Sequence, residues 1–207
     1  MRTRVKICGI TSVADGLAAA RAGADAIGLI FYPPSPRLVT LGRAAEIAAG
    51  LPPFVARVAV FVNPSPEHVA EVVAACRPGL LQFHGEETPM FCRSFGIPYL
   101  RAVRVRSGVD LLESLAAYED AAGWLLDAYR DDLYGGTGEA FDWNLIPQRL
   151  ARPVILSGGL DAENVGEAVR RVRPWAVDVS SGVESAKGMK DGRLIAAFIA
   201  GVRNADA

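Results

Sequence analysis

The sequence predicts a single-domain closed (β/α)8 barrel (a TIM barrel) of the α/β class, and three observations lead to this prediction. Eight short apolar runs, rich in β-branched residues, alternate with Ala-rich segments of helical periodicity. The apolar runs are continuous and do not alternate with polar residues, which is typical of fully buried parallel strands covered by helices. The chain has 207 residues, and this length suits one barrel domain over 1–207.

The predicted strands and helices follow one another with short connections. The strands are Val5–Cys8, Ala26–Phe31, Val55–Val62, Leu80–Phe83, Tyr99–Val103, Trp124–Leu126, Val154–Leu156 and Ala176–Val179. The helices are Ser12–Ala22, Leu41–Ala49, Pro66–Cys76, Glu87–Phe95, Val109–Tyr118, Trp143–Leu150, Ala162–Val172 and Arg193–Val202.

Two of the predicted helix starts carry capping signals, and an alternative fold is also considered. Asp161 is expected to cap the helix that carries Asn164, and Ser65 is expected to cap the helix that Pro66 begins. The alternative is an open doubly wound sheet. Such a sheet would place a nucleotide-binding glycine fingerprint after its first strand, and Cys8-Gly9-Ile10-Thr11 is not one.

Composition and charge argue against several classes of protein. The net charge is −1 without a basic block, so nucleic-acid binding has no electrostatic support. The cysteines are too few and too scattered for a disulfide framework, and no Cys/His cluster has metal-ligand spacing. The N-terminal apolar segment is too short for a signal-peptide core, and no run of about 18 apolar residues could span a membrane. We therefore expect a reduced, cytoplasmic protein without metal or membrane partner.

Glycine and serine residues follow the seventh and eighth predicted strands. Gly158-Gly159 comes after the seventh strand, and Ser180-Ser181-Gly182 after the eighth. In these barrels the active site lies at the carboxyl ends of the strands, and phosphate is often bound by the loops after strands seven and eight. Glycine lets the backbone approach an anion, and serine hydroxyls donate hydrogen bonds. Two such turns in consecutive positions favour a phosphate site over two simple tight turns.

Two strand ends carry candidate catalytic groups. Cys8 ends the first strand, where it is either an inert buried thiol or a reactive one. Asp127 follows the run Trp124–Leu126, and partial desolvation there would raise its pKa towards use as a general acid. The alternative for Asp127 is a loop cap or an ion pair with Arg104 or Arg130, and the sequence leaves both interpretations open.

Arg37 and His84 are candidate binding residues after the second and fourth strands. Pro33, Pro34 and Pro36 restrict the loop that carries Arg37. A guanidinium held there could bind a carboxylate through two parallel hydrogen bonds, whereas most loop arginines are solvated. His84 lies between an apolar strand and Gly85, and it fits a hydrogen-bonded supporting role better than a catalytic one.

Taken in order along the chain, these segments resemble the phosphoribosylanthranilate isomerase family of tryptophan biosynthesis. The resemblance covers nearly the whole chain, and its first and last motifs are the most specific. The motifs are Lys6-Ile7-Cys8-Gly9-Ile10-Thr11, Gly28–Arg37, Val60–Asn63, Gln82–Glu86, Leu126–Ala128, Gly135–Gly138, Phe141–Trp143, Gly158–Leu160, Asn164-Val165 and Val177–Glu184. Two departures are Phe83, where the family usually has leucine, and Glu139-Ala140, where a basic or amide residue followed by threonine is expected.

The resemblance implies an Amadori rearrangement of N-(5-phosphoribosyl)anthranilate. Asp127 would be the general acid at the ring oxygen, and Cys8 would be the general base at C2. Arg37 would hold the anthranilate carboxylate, and the phosphate would bind at 158–159 and 180–182. The resemblance implies no cofactor, because the substrate nitrogen serves as the electron sink. The expected partner is a small phosphorylated substrate, and the expected assembly is a monomer or homodimer.

Three other functions compete with this interpretation. A histidine-pathway aldose isomerase runs the same reaction type, but that family carries aspartate where Cys8 stands, and its half-barrel repeat is not evident here. A ribulose-phosphate epimerase is disfavoured by a chain with two histidines and no metal cluster. A non-catalytic phosphosugar-binding barrel could keep the glycine turns, but it would have no need of both Cys8 and Asp127.

Overall fold

The computed structural model describes residues 2–105, 110–128, 142–147 and 150–207. Its eight parallel strands pair in chain order, and the last pairs with the first, so the predicted (β/α)8 barrel is confirmed and the open sheet is excluded. The barrel strands are β1 (Arg4–Cys8), β2 (Ala26–Ile30), β3 (Ala56–Phe61), β4 (Leu80–Phe83), β5 (Tyr99–Val105), β6 (Gly123–Ala128), β7 (Val154–Leu156) and β8 (Ala176–Val179).

Helices cover the outside of the barrel. They are α1 (Val13–Ala22), α2 (Leu41–Gly50), α3 (Pro66–Cys76), α4 (Pro89–Arg93), α5 (Leu111–Ala116), α6 (Val165–Val172) and α7 (Gly192–Asp206). The Ser65 cap is confirmed, because its hydroxyl accepts from the His68 N–H at 3.2 Å. Such a cap stabilises a helix by about 1 kcal/mol. Asp161 instead caps the turn before α6, where it accepts from the N–H groups of Glu163 and Asn164.

Several predicted helices begin or end up to four residues from the observed bounds, and two of the differences have a clear cause. In place of a helix over Trp143–Leu150, the structure has a 3-10 turn at Trp143–Leu145 that ends before Pro147, so that prediction is wrong. Helix α4 begins at Pro89 and not at Glu87, because Thr88 caps it and the Glu87 carboxylate is buried in an ion pair.

Side chains along each strand alternate between the barrel interior and the layer under the helices. On β1, Val5 and Ile7 pack in the outer core, whereas Cys8 packs inside against Val58 and Val60. A separate apolar layer fills the barrel interior, and it consists of Leu100, Ala102, Leu125, Ile155 and Ala176. The polar interior positions lie nearer the carboxyl ends of the strands, so the fold concentrates them at one mouth of the barrel.

A short hairpin follows β8 and was not predicted. Its strands are β9 (Glu184–Ala186) and β10 (Met189–Lys190). The Thr11 hydroxyl donates to the Gly188 carbonyl at 2.7 Å, which fastens the hairpin to the loop after β1. Among the helices of the described residues, none is both long and apolar enough to cross a membrane.

Candidate active site

Cys8 ends β1 inside the barrel, with only 6% of its surface exposed. A Cβ built on Gly28 of β2 would lie 2.7 Å from the Cys8 sulfur and 3.2 Å from the Lys6 Cε. The absence of a side chain at Gly28 therefore makes room for both groups. Burial raises the pKa of the Cys8 thiol above its ordinary value, although the Lys6 ammonium acts in the opposite direction. A base at this position must be a thiolate, and the raised pKa favours the neutral thiol.

Lys6 and Asp178 form a buried ion pair beneath Cys8. Their side chains are each 5% exposed, and the Lys6 Nζ donates to the Asp178 Oδ1 at 2.8 Å. Burial alone would lower the pKa of Lys6, but Asp178 and Cys8 raise it above the ordinary lysine value. The sequence analysis assigned neither residue to the site. A signal was available in the sequence: Lys6 is two residues before Cys8, and Asp178 is two residues before Ser180. Alternate positions of a strand face the same side, so both residues could have been placed in the barrel interior.

Asp127 lies within β6 and is 4% exposed. It is two residues from Leu125, which packs in the barrel interior, so strand alternation puts Asp127 on the interior face. In the sheet register it is the partner of Arg104 on β5. Strand β6 is three strands from β1 by way of β7 and β8, so Asp127 faces Cys8 across the barrel. Arg130 and the predicted loop Gly135–Gly138 lie outside the described residues, as do Glu139 and Ala140.

Arg37 is buried and is not a solvated surface arginine. It is 7% exposed, and its Nε and Nη2 donate to the two carboxylate oxygens of Glu184 at 2.7 and 2.8 Å. The Lys190 Nζ donates to the same Glu184 carboxylate at 2.7 Å. Burial would raise the pKa of Glu184, but the hydrogen bonds from the two cations hold it below the ordinary value. Arg37 thus makes two parallel hydrogen bonds to the protein's own carboxylate, and its contact with a substrate carboxylate stays a prediction.

Gly9 allows the loops after β1, β2 and β8 to meet above Cys8. Its φ is +75°, and a Cβ there would lie 2.5 Å from the Arg37 Cδ and 3.1 Å from the Ser180 Oγ. A side chain at this position would push Arg37 and Ser180 away from the end of β1. Glu184 and Lys190 were missed by the sequence analysis, because they are brought to Arg37 only by the hairpin.

His84 follows β4 and contacts Gln82 through the Nε2 atoms of both side chains. This contact ties the imidazole to the side-chain amide of Gln82. Burial, and next the positive charges of Lys6, Arg101 and Arg104, lower the pKa of His84 to about 3. The imidazole is therefore neutral at physiological pH, and it can offer a hydrogen bond but no positive charge to a ligand.

The loops after β7 and β8 lie against each other at the mouth of the barrel. Gly158 and Gly159 have φ values of +85° and +62°, which side chains rarely adopt. A Cβ on Gly182 would lie 2.0 Å from the Leu160 carbonyl oxygen, and Asp161 and Gly182 form an isolated parallel bridge. The Ser180 carbonyl accepts from the Lys190 Nζ at 2.9 Å. The two glycine–serine segments are thus brought together beside a buried cation.

This arrangement combines proton-transfer groups with a means of holding an anion. Cys8 and Asp127 lie on strands three positions apart around the interior, and Arg37 and Lys190 supply positive charge at the mouth. Within the described ranges, no group of three or more His, Cys, Asp and Glu side chains has the arrangement of a metal site. Acid–base chemistry on an anionic substrate is the reaction class that these residues can perform.

Comparison with known proteins identifies what the chain is similar to. The family model for N-(5'-phosphoribosyl)anthranilate isomerase matches residues 5–201. The N-(5'-phosphoribosyl)anthranilate isomerase of Dechloromonas aromatica is 57% identical over 206 residues, which is 100% of this chain and 99% of that protein.

Two solved structures are similar over nearly the whole chain. The phosphoribosyl anthranilate isomerase of Thermotoga maritima superposes with a TM-score of 0.90 at 43% identity, covering 98% of this chain and 99% of that one. A phosphoribosyl anthranilate isomerase in complex with reduced 1-(o-carboxyphenylamino)-1-deoxyribulose 5-phosphate superposes with a TM-score of 0.87 at 43% identity and the same coverage.

Proposed function

The chain belongs to the N-(5'-phosphoribosyl)anthranilate isomerase family, and on this premise we propose that Cys8 and Asp127 carry out its proton transfers. The enzyme is an isomerase of tryptophan biosynthesis. It converts N-(5'-phosphoribosyl)anthranilate to 1-(2-carboxyphenylamino)-1-deoxyribulose 5-phosphate by an Amadori rearrangement. We further propose that residues 1–207 make up one catalytic domain that needs no cofactor.

Asp127 is proposed to act first, as the general acid. Its carboxyl group gives a proton to the furanose ring oxygen while the C1–O bond breaks and the lone pair of the substrate nitrogen forms a C1=N bond. The product is an open-chain protonated Schiff base with a hydroxyl group at C4. The interior position of Asp127, near the carboxyl end of β6, supports this role.

Cys8 is proposed to act second, as the general base. Its thiolate removes the proton from C2, and the electrons of that C–H bond form a C1=C2 double bond while the nitrogen becomes neutral. The resulting enolamine tautomerises to the ketone, with a proton gained at C1 and lost from the C2 hydroxyl group. The position of Cys8 at the mouth of the barrel, across from β6, supports this role.

Charged and glycine-rich segments at the mouth are proposed to hold the substrate's two anionic ends. Gly158, Gly159, Ser180, Ser181 and Gly182 would bind the phosphate. Arg37 would bind the anthranilate carboxylate. Glu184 accepts from two of the five N–H donors of Arg37. The remaining donors on Nη1 and Nη2 of Arg37 are available for a ligand. His84 would contribute a hydrogen bond as a neutral imidazole.

The observation that carries the proposal is the meeting of the loops after β1, β2 and β8 above a buried thiol, with a carboxyl group across the barrel. The test is turnover of phosphoribosylanthranilate, followed as the loss of its anthranilate-type fluorescence. We expect saturable turnover by the wild-type chain and none by Cys8→Ala. A wild-type chain that binds the substrate without turnover would overturn the proposal in favour of a phosphosugar-binding barrel.

The proposed partner is this one small phosphorylated molecule, with no nucleic acid and no membrane. We propose a cytoplasmic protein that is a monomer or homodimer. Light scattering on the protein eluting from a size-exclusion column decides between the two states, and a larger assembly would contradict both.

A further inference from the structure

Lys6 places a positive charge inside the barrel that the proposed reaction does not use. Its side chain is 5% exposed, and one of its three N–H donors is bonded to Asp178 at 2.8 Å. Burying an ion pair is costly, and such a pair is weak grounds for stability alone. The position of the pair directly behind Cys8 therefore calls for a functional explanation.

The geometry brings the Lys6 ammonium to the sulfur of Cys8. Lys6 and Cys8 are alternate residues of β1, so both face the barrel interior. The Cys8 sulfur and the Lys6 Cε both lie over Gly28, at 2.7 and 3.2 Å from the position of a Cβ there. The end of the Lys6 side chain is therefore a near neighbour of the sulfur, and its positive charge acts to lower the pKa of Cys8.

Other charged groups also face this pair, but they have other partners. Arg37 and Lys190 approach Cys8 from the loop after β2 and from β10, and both are bonded to Glu184. Asp178 approaches from β8, and the neutral His84 lies near Lys6 at the end of β4. Of these three cations, Lys6 is the one whose neighbouring acidic groups are Asp178 and the Cys8 thiol.

We propose that Lys6 is the positioning residue that stabilises the Cys8 thiolate, with Asp178 holding its ammonium in place. The proposal rests on the proposed role of Cys8 as the base. Burial by itself favours the neutral thiol, and a positive charge close to the sulfur favours the thiolate. Asp178 keeps Lys6 charged and oriented, but its own negative charge disfavours the thiolate. The two partners of one ion pair therefore affect Cys8 in opposite directions.

The experiment measures thiolate formation at Cys8 without using turnover. The intact protein is alkylated with iodoacetamide between pH 6 and 11, and the modified Cys8 peptide is quantified by mass spectrometry. In Lys6→Met the pH of half-maximal alkylation should rise by about 1–3 pH units, the effect of one nearby opposite charge. In Asp178→Asn it should fall. Lys187→Met, at an exposed lysine of the hairpin turn, is the matched control and should leave the profile unchanged.

A charge-free double variant covers the case in which Lys6→Met does not fold. Lys6→Met/Asp178→Asn leaves no unpaired buried charge, and its alkylation profile should still shift upward, because Lys6 acts on Cys8 more strongly than Asp178 does. A folded Lys6→Met, or a folded double variant, with the wild-type profile would overturn the proposal. A downward shift in either would do so too.

Turnover then separates this proposal from the role of Cys8. The kcat of Lys6→Met at pH 7 should fall by about 10- to 1000-fold, matching the lost thiolate fraction, and it should recover as the pH rises. A loss that does not recover at high pH would overturn the positioning role. Normal turnover by Cys8→Ala would instead remove Cys8 as the base, whatever the alkylation profile of Lys6→Met.

Discussion

Arg37 and Glu184 are joined by two parallel hydrogen bonds of 2.7 and 2.8 Å, although 147 positions separate them in the sequence. The pair fixes the guanidinium plane above the end of β1. Removing either partner should therefore weaken the binding of an anthranilate carboxylate more than it affects the chemistry.

The first prediction concerns this pair. Arg37→Ala should raise KM by about tenfold or more, since a charge-assisted hydrogen bond contributes roughly 1.5–3 kcal/mol, and kcat should change less. Glu184→Gln should raise KM by a smaller factor, because Arg37 keeps its charge but loses its orientation. Steady-state kinetics measure both. Arg43→Ala, at an exposed arginine of α2, is the control. An unchanged KM in folded Arg37→Ala would remove the proposed clamp.

The second prediction is that Cys8→Ala abolishes turnover while a product analogue still binds with nearly wild-type affinity. A group needed for proton transfer lowers kcat far more than it lowers affinity. Stopped assays measure turnover, and calorimetric titration measures binding. Cys92→Ala, at another buried thiol that lies in α4 and packs in the outer core, should retain kcat. Near-normal kcat in Cys8→Ala would eliminate Cys8 from the mechanism.

The third prediction is that Asp127→Asn lowers kcat by at least about 10²–10⁴-fold, the usual contribution of general acid catalysis. Asparagine keeps the shape but cannot deliver the proton. The Cys8 thiol should still be alkylated, which would show that the barrel mouth is intact. Asp110→Asn is the matched control, because Asp110 caps α5 and asparagine caps equally well. Wild-type kcat in Asp127→Asn would contradict the acid assignment.

The fourth prediction concerns the proposed phosphate site. Inorganic phosphate should inhibit competitively, and Gly182→Ala should weaken that inhibition, because the new Cβ would collide with the Leu160 carbonyl at 2.0 Å. A backbone atom cannot move aside as a flexible side chain can, so the two loops would separate. Gly42→Ala, in α2 with no atom within 4 Å of the new Cβ, should leave the inhibition constant unchanged. Equal inhibition of all three proteins would place the phosphate elsewhere.

The fifth prediction is a pH dependence of stability. The folded pKa of His84 is about 3, below the unfolded value of about 6.5, so between these pH values the unfolded chain binds the extra proton. The contribution of His84 is complete above about pH 6.5, and it is lost on acidification by up to about 1.4 kcal/mol per pH unit.

The measurement is the free energy of unfolding in urea at several pH values from 7 to 4. His84→Gln should lose less stability over this range than the wild type, and His68→Gln, in α3, serves as the control for removing a histidine. Parallel curves for the wild type and His84→Gln would show that the imidazole is not kept neutral in the folded state.

Much of the barrel followed from local sequence pattern. Continuous β-branched runs identified the strands, and in β4, β7 and β8 the observed bounds are those predicted. The start of α3 was found because the capping Ser65 precedes Pro66, whereas the same signal at Thr88 and Pro89 was missed. The prediction of a helix over Trp143–Leu150 was wrong. It rested on apolar periodicity and ignored Pro147, which disrupts a helix when it lies in the interior.

The sequence alone determined which residues stand at the strand ends, since closure of a parallel barrel brings all carboxyl ends to one mouth. Cys8, Asp127, Gly158 and Ser180 were found in this way. Only the tertiary structure decided which side chains are partners. Glu184 meets Arg37 through the hairpin after β8, and Asp178 meets Lys6 because the last strand pairs with the first. These contacts join distant segments through barrel closure, and no local propensity encodes them, because the pairing depends on how the whole barrel packs.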